Sequence, residues 1–183
     1  MLPNAHLRQR SKKVGIVNNE IRQLAEDMES AAIDWEKSRH HEVSVALAAI
    51  QIDAPIRVVI VRSNFDNKKD ETFKVFINPE VTKYEGEIEE DFEGCLSIKD
   101  IYGQVPRHSK VRVKAMTLDG KIVNLKAEGF LARVLQHEID HTNGMVFIDH
   151  IKDKPDSFFK ILEDGKLEPL DYEKYVRNND LLW

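Results

Sequence analysis

Residues 129–144 have the sequence GFLARVLQHEIDHTNG, in which apolar side chains recur at a helical spacing. This spacing predicts an amphipathic helix over residues 129–142 with one face turned to the core, and Asn143-Gly144 is a typical C-terminal stop. The segment QHEIDH, residues 136–141, places His137 and His141 one turn apart on the same face. Two imidazoles can therefore reach one metal ion. The apolar positions of the helix are Phe130, Leu131, Val134, Leu135 and Ile139.

Glu138 follows the first histidine and completes an H-E-x-x-H pattern, which is associated with metal-activated water and a carboxylate base. Catalytic sites of this kind usually have three protein ligands and one open position. One class of metalloproteases takes its third ligand from a downstream histidine, but Phe147 occupies that position here. A lone cysteine is more often a small core residue than a ligand. The candidates left open for the third ligand are Cys95, Asp149, His150 and Glu163.

Other segments predict an antiparallel sheet and two further helices. IRVVIVR, residues 56–62, and FKVFINPEV, residues 73–81, are typical of strands, and the polar segment between them is a loop. KVRVKAMTLDGKIVNLKA, residues 110–127, predicts a hairpin with its turn at Asp119-Gly120. Residues 18–35 predict an amphipathic helix, and SFFKILE, residues 157–163, a short one. The predicted fold class is α+β, with antiparallel β-sheets packed around a central helix that carries the H-E-x-x-H motif.

The length of 183 residues fits a single domain, and no apolar run approaches the roughly 18 residues of a membrane helix. Lys and Arg number 27 against 32 Asp and Glu, so direct nucleic-acid binding is not expected. The N-terminal residues lack a secretory pattern, and the single cysteine excludes an internal disulfide framework. We therefore expect a cytoplasmic protein without membrane contact.

Three stretches taken together resemble the peptide deformylase family: ALAAIQ at residues 46–51, EGCLS at 93–97 and QHEIDH at 136–141. They stand in the order of that family, whereas the residues after about 152 carry none of its motifs. The resemblance implies one catalytic domain over residues 1–183, with residues 152–183 as a C-terminal extension. It also implies that the protein removes the formyl group from the N-terminal formylmethionine of nascent polypeptides and releases formate. Weak association with the ribosome is a further expectation.

The resemblance supplies a third metal ligand. Fe²⁺ is the ion usual in cells, and Zn²⁺, Ni²⁺ or Co²⁺ can replace it. A cysteine that binds metal does so as a thiolate and adds negative charge to the site. The implied metal ligands are Cys95, His137 and His141.

The resemblance also implies three catalytic groups. Glu138 would accept a proton from the attacking water and later protonate the leaving amine. The side-chain amide of Gln51 and the backbone N–H of Leu96 would donate to the developing oxyanion. Taken as isolated residues, Gln51 could equally be a solvated amide at a strand end and Leu96 a core leucine.

An apolar pocket for the methionine side chain is implied as well, with Glu93 at its edge. From the sequence alone, Phe130 is more simply explained as a core residue. Asp140 and Arg107 are expected to form an ion pair that supports the metal ligands by holding the helix against the sheet. The implied pocket residues are Val45, Ala46, Glu93, Phe130 and Val134.

The first motif departs from the family pattern, because Ser44 and Ala46 stand where the family usually has glycine. A side chain there could narrow the substrate cleft, so we expect a modest change in affinity rather than inactivity. Two alternatives remain at this point: an impaired deformylase-like protein that binds metal or N-terminal peptides, and a zinc metallopeptidase that uses Glu163. Glu138 and Gln51 argue against the first, because a structural metal site needs neither a base nor an oxyanion donor.

Overall fold

The computed structural model describes residues 5–38, 43–67 and 69–177, and this part of the chain contains two α-helices and seven β-strands. The α+β fold class is confirmed. None of the described helices is both long and apolar enough to cross a membrane. The elements are α1 (Asn19–Lys37), β1 (Ala46–Ala48), β2 (Val58–Arg62), β3 (Phe73–Cys95), β4 (Ile98–Met116), β5 (Ile122–Glu128), α2 (Gly129–Thr142), β6 (Phe158–Ile161) and β7 (Leu167–Pro169).

All seven strands belong to one antiparallel sheet in the order β1-β2-β3-β4-β6-β7, with β5 paired to β4 as a branch. The long strands β3 and β4 run side by side and are joined at Leu96-Ser97. Their register shifts at four points, and such irregularities bend and twist a strand pair. The bent ribbon places the end of β3 beside α2, which contacts both strands.

Three of the predicted elements are confirmed at nearly the predicted positions. Helix α1 begins after Asn18, whose side-chain oxygen accepts from the N–H of Ile21 at 3.1 Å. Helix α2 covers residues 129–142, and Gly144 follows it with φ 79° and donates its N–H to the carbonyl of His141. The hairpin of β4 and β5 turns at Asp119-Gly120, where Gly120 has φ 78°.

Strand β3 is much longer than the predicted segment 73–81, and it continues through the acidic residues up to Cys95. Every residue from 86 to 92 is exposed, so this part has no alternation of apolar and polar side chains. Its strand conformation follows from hydrogen bonding to β4 and not from burial of one face.

The prediction of a helix over residues 157–163 is wrong. A short 3-10 turn at Pro155–Ser157 leads directly into β6, which pairs with β4 and β7. Phe158 is buried whereas Phe159 is only partly buried, which is the alternation of a strand. Two adjacent phenylalanines give no clear period, and the pairing with β4 decides the conformation.

Strand β2 is buried on both faces and lies between the two helices. Val59 and Val61 pack in the apolar cluster that contains Leu135 of α2. Val58 and Ile60 pack in the cluster that contains Met28 of α1. The sheet is therefore covered by α2 on one face and by α1 on the other at this point. A third cluster contains Phe147, Ile151 and Phe158 and attaches the C-terminal hairpin to β4.

The third cluster leaves no room for a side chain at Gly103. A Cβ atom built there would overlap the side chain of Ile151 and lie 3.0 Å from the ring of Phe147, and both residues are fully buried. We expect Gly103→Ala to lower the free energy of unfolding by about 1–3 kcal/mol, measured by urea denaturation. The control is Gly15→Ala, because nothing lies within 4 Å of a Cβ at that position. Equal stability of the two variants would contradict the prediction.

Candidate metal centre

The C-terminal end of β3 and the last turns of α2 bring three potential metal ligands together. One ligand atom from each of Cys95, His137 and His141 lies within 4.8 Å of the others. The Cys95 Sγ is 3.2 Å from His141 Nε2, and the two imidazole rings are 4.9 Å apart between centroids. Both histidines are buried. Within the described ranges, this is the one group of three such donors that could hold a metal ion.

The other candidates for a third ligand are engaged elsewhere or lie apart. Asp149 accepts from Arg8 at 2.6 Å and from the N–H of Val146 at 2.8 Å. His150 Nε2 is 2.7 Å from the Asp140 carboxylate. Glu163 is exposed in the turn between β6 and β7. None of the three joins the histidine pair.

The chemistry of the donor group fits a transition metal. Burial alone would raise the pKa of the Cys95 thiol, but the imidazoles of His141 and His137 outweigh it and hold this pKa well below its usual range. The thiolate is the form that binds metals. His137 Nδ1 is 2.9 Å from a Glu93 oxygen, which leaves Nε2 for a metal. One sulfur and two nitrogen donors suit a transition metal and leave a coordination position open.

Glu93 connects the potential metal ligands to the surrounding structure. Its buried carboxylate accepts from Arg107 Nε at 2.9 Å and Nη2 at 3.0 Å, and from Arg133 Nη1 at 2.8 Å. Burial alone would raise the pKa of Glu93, but His137 and Arg107 outweigh it and hold this pKa well below its usual range. Glu93 was predicted at the pocket edge, and it lines the cleft while also contacting His137 from behind.

Arg133 was not predicted, although it stands one turn before His137 on the buried face of α2. A buried arginine at that spacing is a signal for a carboxylate partner near the histidine.

The predicted ion pair between Arg107 and Asp140 is present, with Nη1 2.5 Å from Oδ2. Asp140 also lies beside His150, so its carboxylate has two cationic or polar neighbours. The pair joins β4 to α2 two residues away from Glu138 and one residue before His141. It thus fixes the turn of α2 that carries the two histidines against the sheet.

Gln51 is held in a defined orientation and is not a solvated amide. Its oxygen accepts from the N–H of Ala48 at 2.8 Å, and its Nε2 donates to Ser97 Oγ at 3.0 Å. The same nitrogen is 3.7 Å from Cys95 Sγ. Ser97, which sequence analysis missed, therefore helps to aim the amide at the centre. Leu96 lies between the thiol and this serine and lines the cleft.

Glu138 is buried at the cleft, and its Oε2 has no hydrogen-bond partner among the described residues. Burial raises the pKa of this carboxyl. A buried carboxylate oxygen without a partner is costly, which indicates a group kept for binding or for proton transfer.

A cleft of about 270 Å³ opens beside the potential metal ligands. It is lined by all five residues expected in the substrate pocket, together with Trp35, Phe92 and Tyr102, which were not predicted. Phe130 is 50% exposed, so its interpretation as a core residue is wrong. The first turn of α2 projects it to the edge of the cleft, where its ring contacts Phe65 at 5.0 Å between centroids.

The segment that has Ser44 and Ala46 in place of the family glycines is anchored by the buried Arg62 and the partly buried Glu36. The N–H of Ser44 donates to Glu36 Oε2 at 3.2 Å, and its carbonyl accepts from Arg62 Nε at 3.1 Å. Arg62 Nη2 is also 2.5 Å from the same Glu36 oxygen. Ser44 does not line the cleft, whereas Ala46 does. Only the second replacement can touch a ligand directly.

Comparisons of the sequence and of the structure with known proteins both find similarity to one family. Residues 1–156 match the family model described as Polypeptide deformylase. A peptide deformylase from Rhodopseudomonas palustris is 42% identical over 154 residues, covering 82% of this chain and 83% of that protein. One from Mesorhizobium japonicum is 44% identical over 153 residues, with coverage of 82% and 81%.

Two solved structures are also similar. The crystal structure of a peptide deformylase from Synechococcus elongatus in complex with actinonin has a TM-score of 0.75 at 31% identity, covering 84% of this chain and 79% of that chain. A class I type b peptide deformylase from Acinetobacter baumannii has a TM-score of 0.72 at 34% identity, with coverage of 81% and 94%.

The contacts of Glu93 predict that its charge stabilises both the fold and the metal site. We expect Glu93→Gln to lower the free energy of unfolding by about 3 kcal/mol, because Arg107 and Arg133 lose a buried anionic partner. Metal affinity should fall by about 10–100-fold, because His137 is no longer oriented by a carboxylate. Urea denaturation at pH 7 with a chelator measures the first effect, and competition with a chromophoric chelator measures the second.

The matched control is Glu85→Gln. Glu85 also pairs with an arginine, Arg112, but at the protein surface. Its loss should change stability far less and leave metal affinity unchanged. Similar losses in both variants would show that the burial of Glu93 has no special role.

Proposed function

The chain belongs to the polypeptide deformylase family, and from this premise we propose which residues carry out the reaction. Members of this family are metal-dependent hydrolases, and the chain is a hydrolase that removes the formyl group from the N-terminal formylmethionine of nascent polypeptides. The observation that carries the assignment of residues is the meeting of three potential metal ligands with an oriented amide and with the buried carboxylate of Glu138, whose Oε2 has no hydrogen-bond partner among the described residues. The alternatives of a non-catalytic binding protein and a metallopeptidase are not favoured.

We propose that Cys95 Sγ and the Nε2 atoms of His137 and His141 hold the metal ion. When bound, a metal in such a site supplies a Lewis acid that polarises a carbonyl and lowers the pKa of water. We propose Fe²⁺ as the ion in the cell, with Zn²⁺, Ni²⁺ or Co²⁺ able to replace it. The mixed sulfur and nitrogen donors support this set, because they suit transition metals rather than Mg²⁺ or Ca²⁺.

Glu138 is proposed as the general base that accepts a proton from the attacking water and passes it to the leaving amine. Its burial beside the ligands raises its pKa, which makes the carboxylate a better proton acceptor. The unpartnered Oε2 is available to a water molecule or to substrate.

Gln51 Nε2 and the N–H of Leu96 are proposed as the donors that stabilise negative charge on the formyl oxygen. Support comes from the fixed amide, which Ala48 and Ser97 hold toward the centre, and from the position of Leu96 directly after the cysteine. Donors that are oriented before the reaction need no reorganisation when charge develops.

The cleft is proposed to hold the formylmethionine side chain, with Glu93 at its inner edge. Val45 and Val134 supply apolar surface, and Phe130 closes the outer side. Ala46 belongs to the same wall, and Asp140 and Arg107 support the site from behind.

We also propose that the whole chain forms one catalytic domain with an extension from about residue 152. The pairing of β6 with β4 supports a single unit, and residues 178–183 of the extension lie outside the described part. Action on nascent chains supports a cytoplasmic location with weak ribosome contact. The mixed surface charge gives no support for sequence-specific nucleic-acid binding.

Formate release from formyl-Met-Ala by the protein purified anaerobically with iron tests the assignment. Glu138→Gln should retain the metal but lower kcat by about 10²–10⁴-fold. Cys95→Ala should lose the metal, because two histidines alone remain. Glu163→Ala is the control and should retain both metal and activity, since Glu163 is exposed in a distant turn. Absence of formate release by the iron-loaded protein would overturn the proposal.

The effect of the second glycine replacement can be measured separately. Ala46→Gly removes a methyl group from the cleft wall, so we expect the KM for formyl-Met-Ala to fall by up to about threefold with kcat unchanged. Ala115→Gly is the control, because it also removes a methyl group from a buried strand position, but in β4 and away from the cleft. An equal change of KM in both variants would assign the effect to a general loosening of the sheet and not to the methyl group in the cleft wall.

A further inference from the structure

We propose that Phe159, in the C-terminal hairpin, is a positioning residue that sets the preference of the cleft for the third residue of a formylated peptide. The inference rests on the proposed function. Phe159 stands outside residues 1–156, which match the family model, so the family motifs do not account for it. It acts through Phe92, which lines the cleft.

The register of β6 turns Phe159 toward the cleft face of the sheet. Its Cα partner on β4 is Tyr102, which also lines the cleft, and paired residues of adjacent strands point to the same face. The neighbouring Phe158 pairs with Gly103 and is buried in the cluster of Phe147 and Ile151 on the opposite face. Burial of Phe158 therefore fixes the direction of Phe159, because successive side chains of a strand alternate.

An aromatic wall results, defined here as Phe92, Tyr102 and Phe159. The rings of Phe92 and Phe159 meet edge to face, 4.9 Å apart between centroids and 84° between planes. Tyr102 lies over Gly94, where a Cβ atom would be only 2.7 Å from the tyrosine ring. Phe92 remains 38% exposed, so its other surface is open to a ligand. Without Phe159, the Phe92 ring would lose its lateral support.

The distance of the wall from the metal ligands indicates which substrate residue it meets. Phe92 precedes Cys95 by three positions in β3, a separation of about 10 Å in a strand. An extended peptide that runs alongside β3 from the proposed metal centre toward Phe92 advances by about 3.3 Å per residue, which would place its third residue at the wall. Apolar and aromatic side chains gain most from contact with aromatic rings.

The test compares formyl-Met-Ala-Phe with formyl-Met-Ala-Ser, which differ only in the third residue. The wild-type protein should have a lower KM for the phenylalanine peptide, by about threefold to tenfold. Phe159→Ala should bring this ratio close to one by raising the KM for the phenylalanine peptide alone, with kcat unchanged. Phe159→Tyr keeps the ring and should restore the preference. In a Phe92→Ala background, the additional Phe159→Ala substitution should not change the KM ratio of the two peptides further.

The control is Tyr175→Ala, which removes an exposed aromatic ring from the same C-terminal segment, away from the cleft. Its peptide preference should equal that of the wild type. A wild-type protein with equal KM values for the two peptides would overturn the inference. A Phe159→Ala variant that keeps the preference, or whose KM changes equally for both peptides, would also overturn it.

The same comparison of Kd values, made by calorimetry in the Glu138→Gln background, does not depend on turnover. Loss of all formate release would defeat the proposed function, whereas the Kd ratio would still decide the role of Phe159.

Discussion

The buried carboxylate of Glu93 is the constraint around which the active region is organised. It receives hydrogen bonds from two arginines and contacts His137, so one side chain links β3, β4 and α2. A buried charge is tolerated only when it is fully paired, and each of these partners is needed for that reason. Cys95 stands two residues after Glu93 in β3 and meets His141, so both side chains contact the same helix, α2. The geometry of the potential metal ligands and the stability of the fold therefore both depend on the contacts of Glu93.

The sequence predicts the elements whose conformation is determined by residues close together in the chain. Helix α2 and the β4–β5 hairpin have a clear period and their own stop or turn residues, and both appear where they are expected. The acidic part of β3 and strand β6 have no such period, and hydrogen bonding to β4 decides their conformation. The motifs likewise indicate Cys95 and the histidines. The spacing of Arg133 from His137 is a weaker signal, and its contact with Glu93 is seen only in the folded chain, as is the contact of Ser97 with Gln51. Their roles depend on contacts between residues that are distant in sequence.

The two replacements in the first motif have different structural consequences. Ser44 is buried away from the cleft, and its backbone is fixed on both sides by Glu36 and Arg62. The ion pair therefore stabilises one conformation at a position where glycine would allow many. Ala46 instead adds a methyl group to the cleft wall itself. A change at the first position acts on stability, whereas a change at the second acts on the space available to a substrate.

The residues proposed for the reaction and the residue proposed for peptide preference lie in different parts of the fold, because Phe159 belongs to the C-terminal hairpin. The proposed metal ligands, Glu138 and Gln51 come from β3, α2 and the segment after β1, which are held by buried ion pairs and hydrogen bonds. The hairpin meets the cleft residues through the ring of Phe92 and through Tyr102 of β4, with which Phe159 is paired. Sequence in β6 can therefore change without disturbing the metal ligands, provided that Phe158 stays buried and keeps the register. A segment under this single constraint is free to adjust the outer cleft to different peptides while the reaction centre remains the same.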